Sequence, residues 1–381
     1  MAAIRPLSQG DLREVARLFG SVHPQARGVS QGECEAYFHH MFFGNPWVDA
    51  ALPSWLAHDG PRVVGFIGVV PRPMRLHGRP LRAAVVTQLM VEPEKRHALA
   101  AAQLLRRALA GPQDLTLSDG ANESSRRMWE ALGGTTSTLY GLEWRRLLRP
   151  AQATLERVTR RRGRAAAVLA APVAALADAV LARRRQLHHT PRLLEHALDA
   201  QSLLEGLGHA ARRLALVPSY DERSLDWLLG EARAKRRHGE LQARLLKDTA
   251  GETAGWFLYY VGTISRVLQV HARAGAEHAV LHHLFHHAWR RGAARIEGRM
   301  EPRLARALGE AHCLFHSAAA HALVHAREPE VLSALARGDA FFSRLEGEWW
   351  MRFLCEPARS RPRAVALYDL LWRARQQPAL P

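Results

Sequence analysis

Three stretches of the sequence hold residue types at spacings that can do chemistry. The first runs from Val86 to Ala101. An apolar run ends in Val91-Glu92-Pro93, and Arg96 follows at the head of a helical pattern that includes Leu104 and Leu105. A helix N-terminus offers unpaired N–H groups and the positive end of its dipole, so an Arg beside it makes a turn suited to an anion. Ala98, Ala100 and Ala101 are small, which leaves an anion room near the backbone, whereas Leu99 is bulky. The second stretch is Asp119-Gly120-Ala121-Asn122, where a short apolar strand gives way to a helix and Asn122 is a good cap. The third is a His-rich helix. His282/His286 and His283/His287 are i,i+4 pairs that could bind zinc. No nearby carboxylate or Cys completes the set, so a partly exposed His-rich face without metal is the reading. No paired carboxylates and no Ser/His/Asp arrangement stand out. Cys34, Cys313 and Cys355 show neither metal-ligand spacing nor a disulfide framework and read as buried thiols in a reducing compartment.

The elements that must position these residues follow from apolar periodicity. Ile4 to Leu7 is a short strand, and Ser8 caps a helix with apolar positions Leu12, Val15, Ala16 and Phe19. Strands are expected at 53–57, 63–70 and 83–91, a helix at 94–109, a buried strand at 115–117 and a helix at 122–132. Leu139 to Leu147 is expected to close the same sheet. The second half repeats this order. Ala254-Gly255-Trp256 mirrors Val64-Gly65-Phe66, Ser265 to Ala272 mirrors Val85 to Val91, and the helix 277–290 mirrors the one after Arg96. Ala294 to Gly298 mirrors the strand at Leu115, and Glu301 to Leu308 the helix at Glu123. The expected fold class is therefore α/β, or α+β: two tandem domains, each a twisted mixed sheet flanked by helices.

Between the halves lies a basic, Ala-rich stretch, 151–190, with eight Arg against Glu156 and Asp178. Pro172 in its middle and its Ala content argue for a packed interdomain helix over a membrane span. Its Arg-flanked apolar faces leave open a peripheral contact with an anionic membrane through 157–185. The N-terminus lacks a basic head followed by an apolar run, so folding in the cytoplasm is expected, with any membrane contact at the inner face. The formal charge is +17, but only three of 53 basic residues are Lys. With no aromatic-rich RNA-binding strand, zinc finger or recognition helix, nucleic acid is not an expected partner. The same charge suits other anionic partners.

The stretch Val86-Thr87-Gln88-Leu89-Met90-Val91-Glu92-Pro93-Glu94-Lys95-Arg96 resembles the central strand, Val-x-Pro exit and phosphate-loop Arg of the GNAT superfamily of acyl-CoA-dependent N-acyltransferases. Asn122, followed by Trp129-Glu130-Ala131-Leu132-Gly133-Gly134, resembles the family's later motif. The specific likeness covers about 85–134, and the order of elements extends it over most of the chain. It departs from the family pattern Arg/Gln-x-x-Gly-x-Gly/Ala at Leu99 and His97, and at Trp129, which stands where the family often has an acidic Tyr.

The resemblance implies acetyl-CoA or another acyl-CoA as co-substrate and an amine as acceptor. It assigns Leu89, Met90, Val91, Arg96, His97, Ala98, Leu99, Ala100, Ala101 and Asn122 to the coenzyme. Direct attack of an amine on a thioester needs a base and an acid. Gln88 through water, Glu92 and Asp119 are the base candidates, although Glu92 also fits a solvated loop acid and Asp119 a turn residue. Tyr140 is the nearest acid candidate. The division implied is an acyl-CoA-binding domain at 1–150, the linker at 151–190, and a degenerate copy at 191–381. Tandem proteins of this kind include the Fem-like transferases, which points to an amine-bearing small molecule or an envelope precursor. Leu99 and Trp129 also support a second reading, a non-catalytic binding or scaffold protein on the same fold. The segment 339–350, dense in aromatics and charges, fits either an acceptor site or a cover for a sheet edge.

Overall fold

The computed structural model describes residues 3–23, 29–93, 99–155, 173–174, 176–181 and 192–351. Most of the basic linker, including Arg160, Arg161, Arg162, Arg183, Arg184 and Arg185, lies outside them.

Two seven-stranded mixed sheets carry the fold. The first sheet uses β1 (Ala3–Pro6), β2 (Trp55–Asp59), β3 (Arg62–Pro71), β6 (Ala83–Val91), β7 (Leu115–Ala121) and β8 (Thr135–Thr136). Its order is β1-β2-β3-β6-β7-β17-β8, where β17 (His321–Ala326) comes from the far end of the chain. The second sheet runs β10-β12-β13-β14-β15-β9-β16. Its strands are β9 (Leu142–Leu147), β10 (Leu194–Ala197), β12 (Leu241–Lys247), β13 (Thr253–Tyr260), β14 (Ile264–Ala272), β15 (Arg295–Arg299) and β16 (Leu314–Ser317). A third, small sheet pairs β11 (Leu216–Pro218) with β4 (Met74–Leu76), and β4 with β5 (Arg79–Leu81), so it too joins the two halves.

The expectation that Leu139 to Leu147 closes the first sheet is corrected. β9 lies between β15 and β16 of the second sheet, and the first sheet is closed beyond β7 by β17 and β8 instead. The halves therefore exchange a strand each. An alternating strand fixes which face it buries but carries no signal for its partner, so sequence pattern alone does not distinguish the two sheets.

Each sheet is covered on one face by its own helices. α3 (Ala100–Leu109) and α4 (Glu123–Ala131) bury Leu104, Leu105, Ala108 and Trp129 against the first sheet. α7 (Glu277–Arg290) buries Val280, Leu281 and Leu284 against the second, where α8 (Ala305–Glu310) adds Leu308. The shared core holds residues of α1 (Leu12–Val22), α2 (Gln31–Phe42), α5 (Ala200–Ala211), α6 (Glu222–Ala234) and α9 (Pro329–Ala336). It joins Phe66 of the first sheet to Trp256 and Leu258 of the second.

The repeat read from the sequence is visible in side-chain detail. Gly65 and Gly255 hold matching positions beneath the following helix. A Cβ on Gly65 would come within 2.9 Å of Leu104, and one on Gly255 within 2.8 Å of Val280. At Gly255 the same Cβ would also stand 2.3 Å from the His271 carbonyl oxygen of β14, so a larger residue there would disturb the strand pairing as well as the helix contact. Both sheets also carry an irregularity in this strand pair, between Phe66 and Gly68 opposite β6, and between Leu258 and Tyr259 opposite β14. In the first sheet it leaves Gln88 with a positive φ of 52°.

The caps formed as local chemistry dictates. Asn122 accepts from the Ser125 N–H at 2.9 Å, and Asp199 from that of Ser202 at 2.8 Å. Among the described residues, no helix is long and apolar enough to cross a membrane.

Candidate functional site

The site arises where two parallel strands part. β6 and β7 pair only through Ala83–Val85 and Leu115–Leu117. Beyond that register β6 continues to Val91 and β7 to Ala121 without pairing each other. The gap is a cleft of about 170 Å³. Gln88 and Leu89 line one side, Ser118 and Gly120 the other. Asn122 and Trp129 of the α4 region line it too, as do Phe19 and His23 at the end of α1. Leu105 of α3 also lines it, and α3 has no acidic residue in its first turn.

The structure brings some expected residues to this cleft and not others. Gln88, Leu89 and Asn122 line it. Met90 is buried in the shared core, and Val91 packs against the cluster beneath α3. Ala100 is buried and Ala101 half-buried at the start of α3. Leu99 is 68% exposed, so its side chain does not fill the cleft. Arg96, His97 and Ala98 lie outside the described residues.

Tyr140 is not at the cleft. It is buried in the shared core and donates its hydroxyl to the Ala340 carbonyl at 2.7 Å. Burial raises its pKa well above the ordinary value. Trp129 lines the cleft, but its indole N–H donates to the Val324 carbonyl at 2.9 Å. Glu92 is a buried acid and not a solvated one, held by Arg17 at 3.0 Å and Arg62 at 2.8 Å. Although burial alone would raise its pKa, hydrogen bonds from Arg17 and Arg62 bring it below the ordinary value.

Asp119 sits between the sheets. Its side chain is fully buried, and its Oδ2 pairs with Arg299 of β15 at 2.5 Å. Its Oδ1 accepts the backbone N–H groups of Glu348 at 2.5 Å and Trp349 at 3.0 Å. Gln88 donates its Nε2 to the Tyr37 hydroxyl, which in turn donates to the Met351 carbonyl at 2.9 Å. The Gln88 Oε1 is buried and unpaired.

Sequence reasoning missed Glu348, the one carboxylate among the described residues that line the cleft. It is almost fully buried, and its Oε1 accepts from the Ser118 hydroxyl at 2.6 Å and the Gly120 N–H at 3.1 Å. The density of aromatics and charges at 339–350 was the available signal.

The second sheet parts in the same way. β14 and β15 pair only through Ile264–Arg266 and Arg295–Glu297. Here the gap is filled, leaving about 10 Å³. Gln269 accepts from the Trp256 indole at 2.7 Å and donates to Glu346 at 3.1 Å. Ser343 donates its N–H and hydroxyl to Glu346 at 2.9 and 2.6 Å. The segment around 343–346 therefore plugs the second gap, and Glu348 enters the first.

Buried beside the plug, Glu301 has its pKa raised to about 8, chiefly by loss of solvent, with Arg303 opposing and Glu346 adding. Below about pH 4.5 the folded and unfolded chains both hold this proton. Between about 4.5 and 8 only the folded chain holds it, so stability falls as pH rises, by up to about 1.4 kcal/mol per unit. Above 8 the loss is constant. Glu301→Gln is therefore expected to melt at a higher temperature than the parent, by a margin that grows from pH 5 to pH 8. A margin independent of pH in thermal melts would contradict this.

The His-rich helix is explained by packing. His283 donates its Nε2–H to the Glu195 carboxylate at 3.0 Å, and His287 lies 2.7 Å from the Tyr259 hydroxyl. Among the described residues no group of His, Cys, Asp or Glu is arranged to hold a metal ion.

Residues 3–114 match the family model of an acetyltransferase (GNAT) domain. The β6–β7 cleft and the start of α3 are where the sequence motif resembled that family. No curated protein matches the chain by sequence. Among solved structures, a GCN5-related N-acetyltransferase from Kribbella flavida is 14% identical, with 88% of this chain and 73% of that one covered and a TM-score of 0.54. One from Anabaena variabilis is 13% identical, with 88% and 75% covered and a TM-score of 0.56. At this identity the likeness is one of fold. It extends past residues 3–114 to most of the chain.

Proposed function

We propose that the protein is an acyl-CoA-dependent N-acyltransferase, with the coenzyme in the β6–β7 cleft and an amine as acceptor. One observation carries the reading: the parallel pair of the first sheet, most of it within the matched residues 3–114, opens into a cleft lined by Leu105 of α3, while the equivalent gap in the second sheet is filled. The coenzyme's amide arm lies along Gln88 to Val91. Its pyrophosphate meets the stretch Arg96 to Ala101 that carries the sequence motif, since a helix start and its dipole favour negative charge. Asn122 lies across the cleft. Division of the chain into a coenzyme-binding unit at 1–150 and a second unit at 191–381 belongs to the proposal, with β9 and β17 exchanged between them.

Acetyl is the acyl group adopted first, and a cytoplasmic enzyme acting on an amine-bearing small molecule or envelope precursor is the setting. For the linker, flotation with anionic vesicles that disappears when its Arg residues are changed to Gln would support a peripheral contact. No flotation at low salt removes it.

Titration calorimetry with acetyl-CoA tests the reading. Arg96→Glu replaces a charge-assisted phosphate contact, typically worth about 1.5–3 kcal/mol, with repulsion, so binding weakens tenfold or more. Equal binding by parent and variant would show the site to be misplaced. The second reading, a binding protein without catalysis, is favoured by Trp129, whose N–H is already committed to Val324. Tight coenzyme binding with no transfer to any amine would decide for it.

A further inference from the structure

We propose that Glu348 is the base that takes the proton from the incoming amine, and that Asp119 and Arg299 are positioning residues that hold it in the cleft. This rests on the acyltransferase reading and adds the proton acceptor and its source, the second half of the chain.

The geometry has three parts. Glu348 is the one carboxylate among the described cleft-lining residues, and it faces Gln88 and Leu89 from the β7 side. Two donors on its Oε1, Ser118 and Gly120, fix its orientation. The turn that carries it is clamped from below. Asp119 Oδ1 receives the N–H groups of Glu348 and Trp349, and Asp119 Oδ2 is held by Arg299. Arg299 belongs to the second sheet, and its other arm reaches the Ser343 carbonyl at 3.4 Å. Gly347 lies so close to Asp119 that a Cβ there would stand 2.2 Å from the carboxyl carbon. The acid that sequence reasoning chose as a base is thus consumed as a clamp, and the acid it clamps reaches the cleft.

The chemistry balances. An ammonium acceptor gives one proton to the Glu348 carboxylate. The freed nitrogen lone pair attacks the thioester carbonyl carbon, and the C–S bond breaks with its electrons on sulfur. The nitrogen then loses a second proton, the thiolate gains one, and the products are an amide, free CoA thiol and one proton for solvent. A base at the cleft matters most for an acceptor that arrives protonated.

The test compares two model nucleophiles with acetyl-CoA at neutral pH. Benzylamine is protonated there, and hydroxylamine is not. Glu348→Gln keeps an oxygen for Ser118 and Gly120 but cannot take a proton. Its kcat/KM for benzylamine should fall at least about a hundredfold, with hydroxylamine transfer and acetyl-CoA binding retained. The charge-free pair Asp119→Ala with Arg299→Met should show the same selective loss. Adding Glu348→Gln to that pair should cost nothing more, because all three act through one group. Retained acetyl-CoA binding shows that each variant is folded. A parent-like benzylamine-to-hydroxylamine ratio in Glu348→Gln overturns the base and directs attention to His23. Additive losses overturn the positioning role. A parent protein that fails to bind acetyl-CoA, or transfers to neither nucleophile, sinks the acyltransferase reading and the base with it.

Discussion

Gly347→Ala is expected to lose about 3–5 kcal/mol of stability in chemical denaturation. The new methyl group would stand 2.2 Å from the Asp119 carboxyl carbon. Asp119 has no room to yield, because its side chain is fully buried, paired with Arg299, and bonded to two backbone N–H groups beside the substitution. Either the turn lifts away or the carboxylate shifts. Overpacking alone costs about 1–3 kcal/mol. Breaking a buried ion pair costs about 3–5 kcal/mol, since one charge is left in a poor solvent without its partner. A variant as stable as its parent would show that the turn is not packed on Asp119 as described.

Asp119→Ala is expected to cost a similar amount, about 3–5 kcal/mol, and to be partly rescued by a second change. The single substitution strands Arg299, whose side chain is only 8% exposed, and removes the acceptor for two N–H groups. Arg299→Met added to it removes the stranded charge and leaves an apolar side chain of useful length beside Phe342, over whose ring the guanidinium now lies at 4.9 Å. The double variant should therefore be more stable than the single one. It should remain below the parent, because the two N–H groups still lack their carboxylate. Equal stability of single and double variants would mean that Arg299 reaches solvent once Asp119 is gone, and that the pair contributes little to joining the sheets.

What could be read from the sequence was local. Val63 to Val70 and Ala83 to Val91 declare strands by their apolar runs, and Asn122 declares a helix start by its cap. The parallel between Gly65 and Gly255 was legible because each opens a run of apolar strand residues, and at each a Cβ would crowd the helix that follows. From those elements the GNAT-like order, and hence the cleft beside Leu89, followed. Partnership across long separations was not legible. Nothing in Leu142–Leu147 says that it pairs with β15, and nothing in His321–Ala326 says that it pairs with β7. The same holds for Asp119, which as a lone acid at the end of a strand looked available, while its partners lie 180 and 229 residues away along the chain. The Tyr140 hydroxyl likewise meets a carbonyl 200 residues on. Glu348 was hidden among charges and aromatics until the fold brought it opposite Gln88.

The central claim is that the first cleft takes the coenzyme and the second does not. A crystal structure of the acetyl-CoA complex tests it most directly. The predicted result is the pantetheine arm lying between β6 and β7 along Gln88 to Val91, with the pyrophosphate at the start of α3 and the Gln269–Glu346 plug intact. Coenzyme between β14 and β15, with that plug displaced, would contradict the account.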